Sequence, residues 1–158
     1  MTTASRNQQI STKQLICPVL AVICLAIMFM LGWFWPIMPI LWFPLNLAGL
    51  LLGGVGLTIS YAAQQQFKKN DTTLYPFNEP GKLVTDGLFR YTRNPMYVGL
   101  TIFLIGAWLL LGSLSPLGIV VAFVQIVDFC YIAYEEQRLA AVFGKAYTAY
   151  QARTPRWI

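Results

Sequence analysis

The chain has 158 residues, of which 57% are hydrophobic and 11% charged, with mean hydropathy +0.58, and this excludes an ordinary soluble domain. The formal charge of +5 and pI near 9.3 come from bases placed beside apolar tracts, which suits anionic lipid headgroups and not nucleic acid. Histidine is absent, so a Cys/His metal site is excluded, and no metal is expected.

Charges are missing from Gln14 through Phe67 and again from Asn94 through Val127. Each tract is long enough for two crossings at about 20 residues apiece. Cutting at proline and glycine predicts an all-α polytopic bundle, a single membrane domain over 1–158 with spans at 15–35, 45–63, 96–114 and 116–134. A cytoplasmic loop, 64–95, and an amphipathic tail, 135–158, complete it.

The first span follows Arg6 and Lys13 and ends at Trp33 and Trp35. It is longer than a secretory h-region of about 7–15 residues, so it is expected to stay as a helix. Cys17 and Cys24 are one heptad apart and share a face, a packing pattern. The second span carries Gly49, Gly53, Gly56 and Ser60, a small-residue stripe for close helix approach, within the chain or between copies in a homo-oligomer. No Lys or Arg falls in either hairpin loop, so both termini and the central loop are expected in the cytoplasm, at a bacterial inner membrane or an endomembrane.

The third span begins at "RNP", where Asn94 and Pro95 form an N-cap and first-turn pair. Its first-turn N–H groups favour an anion, and Arg93 adds a fork suited to carboxylate or phosphate. Phe89, Tyr91 and Tyr97 offer aromatic faces for a planar base or a soft cation. The plain alternative is an interfacial belt of snorkelling arginines and tyrosines.

Asp128 is the one charge well inside a span, read as functional or as a buried structural hydrogen bond. Glu135 and Glu136, at the end of the fourth span, ask for a cationic partner. Leu139, Val142, Phe143, Ala146, Tyr147 and Tyr150 then recur at helical spacing, a stripe for the interface or for capping helix ends.

"LVTDGLFRYTRNPMYVG" together with "EEQRLAAVFGKAYTAYQARTPRW" resembles the superfamily of isoprenylcysteine carboxyl methyltransferase and the phospholipid methyltransferases, over about Thr72 to Ile158. The resemblance implies a membrane methyltransferase that uses S-adenosyl-L-methionine and a lipophilic or small acceptor. Carried over by position, the cofactor contacts would be Lys82, Leu83, Val84, Phe89, Asn94, Pro95, Met96, Tyr97 and Glu135. Arg93 and Glu135 are expected to organise the chemistry, with Glu135 or Asp128 as proton acceptor.

Three positions depart from that family's pattern. Asn94 stands where histidine is common, Phe89 where tyrosine is, and Tyr131 where an arginine is associated with the prenylcysteine substrate. Sterol reductases share a related carboxyl-terminal motif, which makes an NADPH-dependent lipid reductase the rival enzyme, although the chain has no Gly-rich phosphate loop. A non-catalytic membrane scaffold is the other rival.

Overall fold

A computed structural model describes residues 3–69 and 83–158. Four long helical rods account for most of it: α1 (Thr3–Phe34), α2 (Ala48–Lys69), α3 (Pro95–Leu111), and a continuous rod made of α4 (Leu117–Ile126), a π-helical turn (Val127–Ile132) and α5 (Ala133–Phe143). A short helix, α6 (Lys145–Gln151), follows. Three of the rods contain stretches long and apolar enough to cross a membrane, Cys17–Phe34, Leu45–Lys69 and Leu117–Phe143, while α3 is a shorter apolar helix of 17 residues.

The second and fourth rods extend beyond the apolar limits read from sequence, while α3 ends at Leu111, short of the expected 114. The second helix continues six residues past Ala63 to Lys69, and the fourth rod runs through Glu135 and Glu136 to Phe143. Backbone hydrogen bonding does not stop where charge begins. What stops the fourth rod is Gly144, whose positive φ of 49° suits a residue without Cβ. The stripe expected along one tail helix is therefore divided: Tyr147 and Tyr150 on α6 are buried, and Val142 on α5 is exposed.

Over residues 17–34 of α1 the buried side chains are Cys17, Ala21, Cys24 and Met28, a narrow heptad seam, while Val22, Met30 and Trp33 are exposed. That seam packs with Leu104 of α3 and Phe123 and Val127 of the fourth rod to form the core. The outward apolar side chains match a lipid surround, where burial inside protein is not required.

The glycine stripe of α2 is used within the chain, against α3. An ideal Cβ on Gly99 would lie 2.6 Å from the Gly56 carbonyl oxygen and 2.6 Å from the Ser60 nitrogen, so the two backbones touch directly.

The two hairpins meet at one end of the bundle. Ile40 N–H donates to the Gly112 carbonyl at 2.7 Å and Leu114 N–H to that of Ile37 at 3.0 Å, while within the second hairpin the Trp108 indole donates to the Ser113 carbonyl at 2.9 Å. Gly112 caps α3 in the left-handed conformation, φ 65°. The loop before α3, the acidic turn of α5 and the chain's last residues gather at the other end.

Candidate functional site

The segment leading into α3 is fixed from three sides. Gln66 of α2 donates through Nε2 to the Asp86 carbonyl at 2.6 Å and accepts from Leu88 N–H at 3.2 Å. Phe89 is buried and meets Phe67 edge to face, with ring centroids 4.6 Å apart. The Tyr150 hydroxyl of α6 donates to the Phe89 carbonyl at 2.6 Å.

The chain terminus then folds back over residues 92–94. Arg93 N–H donates to the Pro155 carbonyl at 3.0 Å, while the Thr92 hydroxyl and the Asn94 amide donate to the Arg156 carbonyl at 3.1 and 2.9 Å. Asn94 holds the N-cap position of α3, as its sequence predicts, but its side chain makes no capping bond. The amide is spent on the terminus, and the first turn of α3 is left without a side-chain cap.

The neighbouring glutamates have different partners. Glu136 stands between two arginines: Arg93 Nη1 is 2.7 Å from Oε1, and Arg156 closes on it with Nη2 at Oε2 and Nε at Oε1. Arg156 also reaches Asp128, with Nη1 at 3.3 and 3.2 Å from its two carboxylate oxygens, and the Trp157 indole donates to the same carboxylate at 2.9 Å. The intramembrane acid noted in the sequence is thus an anchor for the terminus.

Glu135 instead accepts from the Tyr97 hydroxyl at 2.8 Å, and that hydroxyl accepts from the Cys17 thiol at 3.7 Å. A short polar chain therefore links the α1 seam to the start of α5.

Arg93 is close to enclosed, with a side-chain exposure of 13%. Its Nη1 is held by the ion pair to Glu136, while Nε is a buried donor with no hydrogen-bond acceptor. Such donors are costly unless something accepts from them.

Of the residues expected from sequence, Arg93, Asn94, Pro95 and Tyr97 share the end of the bundle with Glu135. Val84, Asn94, Pro95 and Tyr97 are buried, and Leu83 and Met96 are partly so. Lys82 lies outside the described residues. Arg93 pairs with Glu136, while the Tyr97 hydroxyl donates to Glu135. One expectation changes. Phe89 and Tyr91 are not part of an aromatic cluster with Tyr97, since Phe89 packs on Phe67 and Tyr91 is exposed. Sequence reasoning gave no site role to Glu136 or Arg156. The signal for the first was the acid pair itself, and for the second the base in "RTPRW".

The phospholipid methyltransferase family matches residues 45–146 of the chain. Protein-S-isoprenylcysteine O-methyltransferase of Schizosaccharomyces pombe is 33% identical over 90 residues, covering 51% of this chain and 34% of that protein. Protein-S-isoprenylcysteine O-methyltransferase B of Arabidopsis thaliana is 34% identical over 79 residues, covering 49% of this chain and 39% of that one. The chain thus spans little more than a third of the curated relatives it matches. The structure of the eukaryotic intramembrane Ras methyltransferase (isoprenylcysteine carboxyl methyltransferase) shares the fold, with TM-score 0.65 and 24% identity, over 94% of this chain and 52% of that one.

Proposed function

The chain belongs to the phospholipid methyltransferase family, and on that premise we propose that it is an integral membrane methyltransferase that transfers the methyl group of S-adenosylmethionine to a lipophilic or small acceptor. The observation that carries the reading is Arg93: its buried Nε–H, which nothing accepts, adjoins the uncapped first turn of α3. Together they offer an anion site of the kind the cofactor's carboxylate needs. Glu135, one residue from the arginine-bound Glu136, supplies an acceptor for the cofactor's ammonium or ribose hydroxyl.

When bound, S-adenosylmethionine supplies a methyl group on a positively charged sulfur, which an acceptor takes by in-line displacement. Such chemistry asks the protein to align two molecules and exclude water, not to provide a nucleophile. Arg93 and the α3 terminus would hold the donor's anionic end. Tyr97 orients Glu135 through its hydroxyl, and Glu135 is the carboxylate left to take a proton from the acceptor. Asp128 does not serve, because Arg156 and Trp157 occupy its oxygens.

The two named relatives act on protein-S-isoprenylcysteine, and a prenylated compound is one acceptor class for this chain. Tyr131 gives the fourth rod a neutral phenol one turn before Glu135. Lipid extracts, prenylated thioethers and small thiols, offered in turn with methyl-labelled cofactor, test the proposal. Labelled product is expected from the wild type and not from Arg93→Ala or Glu135→Gln at equal expression. Unchanged turnover in both variants would overturn the assignment.

A further inference from the structure

Both the backbone and the side chain of Arg93 are set by the chain's last residues. Pro155 accepts from its N–H at 3.0 Å, and its guanidinium faces a glutamate that Arg156 grips with Nε and Nη2. The remaining Arg156 nitrogen, Nη1, is tied to Asp128 in the π-helical turn, where Trp157 adds a second donor. The Arg156 carbonyl meanwhile takes Thr92 and Asn94, the residues on either side of Arg93. One residue thus fastens the entry of α3 to the fourth rod.

We propose that Thr154–Trp157 is a strap in which Arg156, acting through Glu136, is the positioning residue for Arg93. Without the strap, Glu136 has one arginine and a free rotamer, Asn94 regains its ordinary capping choice, and Arg93 loses the geometry that presents its donors. Lysine at 156 keeps the charge but cannot grip one carboxylate with two nitrogens while reaching another. The inference rests on the cofactor reading only for what Arg93 binds, not for what holds it.

Two readouts on the full 158-residue chain in detergent separate these claims. The first is backbone hydrogen exchange across residues 88–98 with no cofactor added. Arg156→Lys should raise exchange there and leave the 105–111 segment at the hairpin end unchanged. Thr92→Val, which loosens the strap without touching a charge, should raise it in the same peptide and serves if Arg156→Lys does not fold. Wild-type exchange in the variants overturns the strap.

The second readout is a double-mutant cycle in S-adenosylmethionine affinity. Arg156→Lys and Glu136→Gln should each weaken binding by about tenfold, and together by about the same, because they break one connection. A combined loss near a hundredfold overturns action through Glu136. If the wild type binds no S-adenosylmethionine, the methyltransferase reading fails, and exchange alone upholds or overturns the strap.

Discussion

Adjacent acids on one helix turn do different work because their partners lie in different directions. Glu136 is shared by two guanidiniums and is nearly enclosed, with a side-chain exposure of 11%, so neutralising it strands positive charge. Loss of one partner from a buried pair costs roughly 3–5 kcal/mol, with the lower end expected where, as for Arg156, one side is partly solvated. Glu136→Gln should therefore lower the thermal midpoint clearly, whereas Glu135→Gln should leave it nearly unchanged while abolishing transfer. Equal melting of the two would contradict this division. Tyr150 gives a pH signature: burial, with Tyr147 beside it, pushes its phenol above the ordinary value of 10.0. The folded state then holds that proton more tightly than the unfolded chain, so the contribution is complete below pH 10 and is lost as pH rises towards the raised value. Tyr150→Phe, which removes the bond to the Phe89 carbonyl, should be less stable by about 1 kcal/mol at neutral pH, and the gap to wild type should narrow above pH 10. A gap that stays constant would contradict the burial account. The helix entry at Asn94 and Pro95, with Arg93 before it, was legible in the sequence. The division of partners between Glu135 and Glu136 was not, since helical spacing does not say which of two neighbours a distant tail will reach.

The helix pair α2–α3 depends on the absence of side chains where it touches. Gly99→Ala would place a methyl 2.6 Å from the Gly56 oxygen and Ser60 nitrogen, both backbone atoms that cannot turn aside. The helices must separate, at a cost of about 1–3 kcal/mol as for other overpacked positions. Gly54, on α2, has nothing within 4 Å, so Gly54→Ala should be neutral or stabilising by up to about 1 kcal/mol. Melting of the two variants in one detergent decides the matter, and equal effects would show that the stripe is not the contact. The stripe itself was readable from glycine spacing, and its partner was not, because Gly99 and Gly106 sit in a helix whose sequence is otherwise large and apolar. The continuous fourth rod was also hidden. A reading by hydropathy ends the span at the first charges, while the backbone continues through a π-helical turn until Gly144 breaks it.

Across the whole molecule, the hairpins that join α1 to α2 and α3 to the fourth rod hydrogen-bond to each other at one end. Neither hairpin contains Lys or Arg, whereas Lys68, Lys69, Arg90, Arg93, Arg138, Lys145, Arg153 and Arg156 all belong to segments at the other end or leading from it. Bases tend to stay on the cytoplasmic face, which predicts a cytoplasmic site end. Reporters fused after Ile158 and inserted at Asn70 should both read as cytoplasmic, and one inserted near Met38 as external. The inverted pattern would contradict the orientation, and reporters at Asn70 and after Ile158 on opposite faces would contradict four crossings. On the proposed function, that arrangement would let a polar cofactor reach Arg93 and Glu135 from water and an apolar acceptor approach through lipid between the rods. The most direct test is titration calorimetry of the purified chain with S-adenosylmethionine and, in parallel, NADPH. Saturable binding of S-adenosylmethionine alone, lost in Arg93→Ala, is the predicted result; binding of NADPH alone, or of neither, would contradict the account.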